Sequence, residues 1–389
     1  MKKIFALLLC LCLLAGALTA CRSTTPDGED NKADNGGNKQ DSNGNGNNGN
    51  NTPSDGNDNG NETLKAALRA EFLKSADEVT VSDDSVTFKA ATSTDGSTVT
   101  VKKNPGKVVN LYGSFTTLWY EAGGTVIGCI GGDSSQALYI EYIGRDITTD
   151  DGMTVVATSS AGKRWDTENI ISLKPDLIIC STAMSGYSTI NGPATEAGIR
   201  VIAVNYDDFS DYLKWFKVFC NLSGHAELWD SVAMKALNDV VDVLCEIPDG
   251  NAPRVFSMFS NAKALEANTS MTVVGGMIGA MKAHNIVDDW ENAAGDDRLT
   301  INLETVFAAN PDIIIIQCHA GTDVAREQVE ATYGDNPVWQ SLNAVKNGKV
   351  FYLEKSLFHN KPNSRFAIAY QQLAEILYPD VSFSFKSES

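Results

Sequence analysis

The sequence predicts an α/β protein: two Rossmann-like lobes with central parallel sheets, joined by one long α-helix. Three observations carry that reading. One stretch is written twice, first as Thr167-Glu168-Asn169-Ile170-Ile171-Ser172-Leu173-Lys174-Pro175-Asp176-Leu177-Ile178-Ile179 and again as Leu303-Glu304-Thr305-Val306-Phe307-Ala308-Ala309-Asn310-Pro311-Asp312-Ile313-Ile314-Ile315. Strand-like runs alternate with helical patterns around each copy, as in a parallel sheet with crossover helices. Between the two blocks, Asp208 to Pro248 keeps helical periodicity and contains no strand.

Within each copy a glutamate opens an amphipathic turn or two. A proline seven positions later ends the helix, because its ring and missing N–H cannot continue the ladder. Aspartate then turns the chain into a continuous apolar run, the pattern of a buried parallel strand. The two glutamates, Glu168 and Glu304, stand 136 residues apart at the same offset from their prolines, which argues against coincidence between ordinary αβ units.

The 389 residues allow two or three domains. The formal net charge of −18 argues against a nucleic-acid partner. Met1-Lys2-Lys3 and the apolar run Ile4 to Ala17 form the n- and h-regions of an export signal. The run is shorter than the roughly 20 residues a spanning helix needs. It ends in Leu18-Thr19-Ala20-Cys21, which resembles a bacterial lipoprotein box. The alternative is an ordinary secretory signal with a chance cysteine. Residues 1–20 are thus expected to be a leader, with Cys21 lipidated and the protein exported and held on the outer face of the cell membrane. Residues 21–62 are rich in Asn, Gly, Asp and Ser and read as a disordered tether. Its reach is on the order of 35 Å. Gly44 to Gly49 fits GxGxxG without a strand before it or a helix after it. An EF-hand-like start at Asp55 fails because Ala66 stands at the twelfth position. Cys129, Cys180, Cys220, Cys245 and Cys318 are an odd set without a CxxC pair, so no disulfide framework or zinc site is readable.

Residues 63–103 are expected to hold a short helix, Leu64 to Ala76, and strands between Val79 and Val101 turning at Asp95-Gly96. The N-terminal lobe is placed at 104–207, with strands at Val108 to Tyr112, Val126 to Ile130 and Val201 to Val204. The linker, 208–250, carries a first helix with Leu213, Phe216, Val218 and Phe219, a break at Ser223-Gly224, and a helix from His225 to Glu246. That second helix would be about 33 Å long. The C-terminal lobe is placed at 251–380. It has strands at Val255 to Phe259 and Val350 to Leu353, a helix carrying Gly275-Gly276-Met277-Ile278-Gly279, a helix from Asp323 to Tyr333, and a last one from Ser364 to Leu377. Residues 381–389 are a tail.

This order resembles a known family: a lipoprotein box, a polar tether, a Pro105-Gly106-Lys107-Val108-Val109 lead-in, the twin Glu-x6-Pro-Asp units, a Gly-broken strut, and a closing Lys361-Pro362-Asn363-Ser364-Arg365-Phe366. The resemblance is to the substrate-binding lipoproteins of ABC importers for ferric siderophores, haem and cobalamin, and it covers Pro105 to Pro379. It implies a ligand cleft between the lobes that closes little, because a continuous helix resists bending. It also implies a role for the glutamates, with Glu168 and Glu304 docking on arginines of the two permease subunits, the ATPase being reached through the permease. The plain alternative is first-turn acids favoured by the helix dipole.

On that resemblance the ligand is a ferric siderophore, with haem or cobalamin as alternatives. The protein is a monomer without intrinsic cofactor. The cleft is expected along the loops after the strand ends. Those loops carry Tyr112, Ser114, Lys163, Arg164, Trp165, Met184 and Tyr187 in the first lobe, and Phe259, Asn261, His319, His359, Lys361 and Arg365 in the second. Cationic side chains would pair with an anionic chelate and aromatic ones stack on its organic shell. For each the plain alternative is a solvated loop or a helix-end contact. A bare-ion site is not expected, since only His319 and His359 lie near loops. His319, His359 or Tyr187 would serve as a haem axial ligand. A cleft enzyme is the rival reading, but the chain has no P-loop, dinucleotide fingerprint, GxSxG or cluster spacing. An adhesin or scaffold would explain the anchor and tether but not the twin glutamates.

Overall fold

The computed structural model of the chain describes residues 57–92, 96–159, 165–250, 252–261 and 263–385. The expected leader, Cys21 and the expected tether up to residue 56 lie outside the described residues, as do Lys163, Arg164 and Asp95 of the expected turn.

The repeated stretch accounts for there being two αβ sheets. In the first, β4 (Val108–Asn110), β5 (Gly128–Ile130), β6 (Thr154–Ala157), β7 (Leu177–Ser181) and β8 (Arg200–Val204) run parallel in the order β6-β5-β4-β7-β8. Every residue of β4, β5 and β7 is buried, as expected of strands covered by helices on both faces. In the second, β9 (Arg254–Ser260), β13 (Ile313–Cys318) and β14 (Val350–Leu353) are parallel. The two helices of the repeat, Thr167–Ser172 and Leu303–Ala309, share their ends position by position. Asp166 and Asn302 cap the N-termini with side-chain oxygens. Lys174 and Asn310 take left-handed φ of 46° and 44° before the prolines. The aspartate after each proline then ties the strand beside its own, β4 or β9: Lys107 N donates to Asp176 Oδ2 and Arg254 N to Asp312 Oδ2, both at 2.8 Å. The repeat is therefore a clamp on the first strand of each sheet.

The second sheet departs from the expected parallel pattern. After β9 the Asn261 side chain accepts from Lys263 N and Ala264 N, turning the chain back on itself. β10 (Leu265–Asn268) therefore pairs antiparallel with β9, and β12 (Arg298–Thr300) antiparallel with β10; β11 (His284–Asn285) pairs parallel with β9.

The linker is two helices, broken where Ser223-Gly224 predicts and with the second shorter than the expected strut. The helix Phe209–Ser223 stops at Gly224, whose φ of 86° suits glycine, while His225 N caps back on Cys220 O at 2.8 Å. Helical structure resumes later than His225, as a π-turn at Trp229–Met234 continuing into the helix Lys235–Cys245.

The segment ahead of the first lobe packs on this linker. Its helix, Asn57–Asp77, begins inside the stretch read as tether. It lies on both linker helices, burying Leu68, Phe72 and Ala76. Phe72 meets Phe209 edge-on at 5.2 Å, and Lys65 Nζ reaches Asp242 at 2.8 Å. A small antiparallel sheet, β1 (Thr80–Val81), β2 (Ser85–Lys89) and β3 (Thr98–Lys102), sets Phe88 edge-on to Trp215 at 5.5 Å.

Truncating Phe72 to alanine is expected to cost about 3–5 kcal/mol. Lys65→Ala, which removes a partly exposed ion pair, should cost under about 1 kcal/mol. Urea unfolding midpoints of the two variants check the ratio.

Candidate functional site

Strand order in the first sheet reverses between β4 and β7, and in the second β9 and β13 adjoin at the equivalent place. Crevices in open α/β sheets form outside the carboxyl ends of strands at such points. His319 directly follows β13, and His359 follows the short helix Lys355–Phe358. The structure brings these two together. His319 Nδ1 and His359 Nε2 are 2.8 Å apart, with rings perpendicular at 4.6 Å between centroids. Phe259, at the end of β9, stacks on His359 at 5.6 Å, and the Arg298 guanidinium lies 4.1 Å from the Phe259 ring centre.

A row of buried amides holds this face. Arg298 Nε donates to Asn268 Oδ1 (3.2 Å), Asn268 Nδ2 to Gln317 Oε1 (3.1 Å), and Gln317 Nε2 to Phe358 O (2.6 Å). Asn268 and Gln317 are buried polar residues on β10 and β13, and each donates an amide hydrogen to the next partner in the row, Asn268 also donating to Met258 O. A buried amide left unpaired is costly, so this row fixes Arg298 on β12 relative to the segment carrying His359.

Arg298, Lys355 and Lys361 bear on this face, with Glu266 and Asp297 acting on Arg298 and Asp207 beside Lys361, and its imidazoles are uncharged near neutral pH. Burial pushes His359 down to about 3, with His319, Lys355, Arg298 and Lys361 adding to the effect. Burial, then Lys355 and Arg298, lower His319 as well. Lys361 is largely buried. It sits 3.7 Å from Asp207 and 5.0 Å from the Tyr206 ring centre, and burial lowers its pKa against the pull of Asp207. Tyr112, just beyond β4, is half-buried against Phe115 and senses the same Asp207. Lys361 is thus where the second lobe's face meets the first.

The segment around Lys361 also ties the lobes. Tyr142 Oη donates to Ser356 O (3.0 Å), Asn363 Nδ2 to Thr117 Oγ1 (3.2 Å), and Ser364 N to Glu121 Oε1 (3.2 Å). Arg365 belongs to this seam. It pairs with Glu141 at 2.8 Å and lies 3.8 Å from the Tyr142 ring centre.

The other expected contacts are placed differently. Ser114 is buried, and its carbonyl accepts from Thr117 Oγ1. Trp165 is only 8% exposed and sits in the first lobe's core against Gly186, where a Cβ would lie 2.4 Å from the ring. Tyr187 packs half-buried on that cluster. Lys163 and Arg164 fall outside the described residues. Glu168 and Glu304 are exposed in the first turns of their helices. Among the described residues no group of three or more His, Cys, Asp or Glu side chains could hold a metal ion. Sequence reasoning missed Arg298 and Lys355. Arg298 sits in a polar stretch with nothing to mark it until β12 pairs with β10.

Two cavities lie away from this face. One of about 320 Å³ is walled by Phe72, Phe209, Met277, Phe366 and Tyr370 and has no cation in its lining. The other, about 1050 Å³, runs past β3, Lys174 and Arg200 at the amino end of the first sheet. The first suits no anion, and the second lies opposite the carboxyl ends of the strands.

Residues 108–357 match the sequence profile of the family described as periplasmic binding protein. The chain is 27% identical over 294 residues, 72% of its length and 83% of the relative's, to the uncharacterized ABC transporter substrate-binding lipoprotein YvrC of Bacillus subtilis. It is 26% identical over 260 residues, 65% and 74% of the two chains, to the Fe(3+)-citrate-binding protein YfmC of that organism. Among solved structures it resembles the periplasmic catecholate-siderophore binding protein VctP from Vibrio cholerae, with a TM-score of 0.57 at 13% identity over 76% of this chain and all of that one.

The histidine pair makes a prediction about acid. Unfolded His359 takes a proton near pH 6.5, whereas the folded imidazole resists until about 3. Stability attributable to this residue is therefore intact above pH 6.5 and falls as pH drops toward 3. Between pH 7 and 4.5, His359→Gln should lose less stability than the parent chain, read as the shift in urea midpoint.

Proposed function

Because the chain belongs to the periplasmic binding protein family, we propose that it captures an anionic ferric chelate between its lobes and delivers it to an ABC permease. The observation that supports this best is the contact of His319 with His359, 2.8 Å apart beside Phe259 and Arg298, with Lys355 and Lys361 also bearing on His359, in a chain of net charge −18. Carboxylate or catecholate oxygens of the chelate would take charge-assisted hydrogen bonds from the cations. Phe259 and Tyr112 would lie against its organic part, and an imidazole nitrogen would face the iron or its oxygens. The iron is cargo, and no covalent step is involved. The name of YfmC, an Fe(3+)-citrate-binding protein of which the match covers 74%, supports the same ligand class.

Haem is the second reading. Its propionates suit the same cations, and the His319–His359 pair supplies an axial nitrogen. A Soret titration separates the two. Glu168 and Glu304, exposed at matching positions of the repeat, are proposed to dock on basic side chains of the two permease subunits. Cys21 is proposed to carry the lipid that holds the protein at the membrane, as the lipoprotein relative's name supports.

Arg298→Ala and Lys361→Ala should each weaken chelate binding by on the order of tenfold, the value of one charge-assisted contact. The loss should shrink in high salt. Reversing Glu168 and Glu304 together to lysine should abolish uptake and leave the affinity unchanged. Normal uptake by that double variant contradicts docking, and undiminished binding by both cation variants contradicts the proposed ligand face.

A further inference from the structure

The helix Leu303–Ala309 carries more than its glutamate. Phe307 is 52% exposed, the only aromatic among the exposed large apolar side chains of the described residues. It stands three positions after Glu304, so the two are neighbours on one helix face. Val306 turns the other way and is fully buried. A solitary exposed phenylalanine is ordinary on a protein surface. The register sets this one apart. In the first copy of the repeat the same offset from Glu168 places Ile171, half-buried, on the helix Thr167–Ser172. Each lobe thus presents a carboxylate followed one turn later by an apolar side chain, larger and more exposed on the second lobe.

We infer that Phe307 is the apolar anchor of the permease contact on the second lobe, with Ile171 a weaker counterpart on the first; this rests on the docking role proposed for Glu168 and Glu304. The partner surface it fits is a permease loop offering a basic side chain to Glu304 and, beside it, an apolar hollow for the ring. The division of labour follows from the chemistry. A rim carboxylate sets orientation and encounter rate. An aromatic side chain leaving water for a fitted hollow supplies the hold, as anchors at the centre of interfaces do. Phe307 is free to do so because the fold does not use it. Its helix is held by buried Val306 and by Asn302 Oδ1, which accepts from Glu304 N and Thr305 N.

The test is site-specific photocrosslinking with the full, lipidated chain in its host cells, benzoylphenylalanine replacing exposed Ala308 in one experiment and Phe307 in another, with Glu304 kept in both. Both positions should crosslink to the same polytopic ABC permease subunit, identified by mass spectrometry. With the crosslinker at Ala308, adding Phe307→Ser should lower the yield by on the order of tenfold. Phe307→Leu should retain most of the yield, and Ile171→Ser should cost less than Phe307→Ser. Thermal midpoints of the variants should match the parent. A permease crosslink from position 308 that Phe307→Ser leaves unchanged overturns the anchor while leaving docking intact. A crosslink from Phe307 to a second copy of the chain overturns it in favour of self-association. Silence at both positions overturns the docking reading and the anchor with it.

Discussion

The position of one lobe against the other depends on a connected set of aromatic rings. Phe72 touches Phe209 (5.2 Å), Phe209 touches Phe366 (5.0 Å), Phe366 touches Tyr206 (6.3 Å), and Tyr206 touches Phe115 (6.3 Å). The five rings come from the leading helix, the linker, the last helix, the end of β8 and the first helix of the N-terminal lobe. Each such pair adds about 0.5–1.5 kcal/mol beyond its buried area, and a close-packed interior does not slide by small steps. The segment Lys355 to Arg365 is held just ahead of Phe366, so His359 and Lys361 keep their places because the ring set does. A face held in place in advance avoids some of the ordering cost of binding.

Charge is distributed to the same end. The chain as a whole is acidic, yet Arg298, Lys355 and Lys361 all bear on His359, adding to the burial that keeps it unprotonated. Cations gathered at one place in an otherwise acidic chain favour an anion there. The amides of Asn268 and Gln317 keep Arg298 and the His359 segment in mutual register.

Much of the fold was legible because the twin unit records it in local rules. Its caps, left-handed residues and prolines are all short-range, and they yield helix, turn and buried strand in both lobes. The mixed edge of the second sheet was not legible, since the reversal at Asn261 looks like any polar turn until β10 pairs. The linker break at Gly224 was readable from glycine, but the π-turn that delays the second helix has no sequence mark. In the site, His319 and His359 were named from their place after strands. Their direct contact depends on the long-range seam from Ser356 to Arg365. Trp165 and Arg365 looked like ligand contacts because their types suit an anionic aromatic chelate. Burial against Gly186 and pairing with Glu141 assign them to packing, and neither partner is near in sequence.

The most direct measurement is a calorimetric titration of the chain from Cys21 onward with ferric citrate, an iron catecholate complex, haem, and the same chelators without iron. Saturable binding of one anionic iron complex, weaker without iron and weaker as salt rises, is the result this account predicts. Equal affinity for a neutral or cationic chelate, or binding indifferent to salt, would contradict it, because the face around His359 would then not be what selects the ligand.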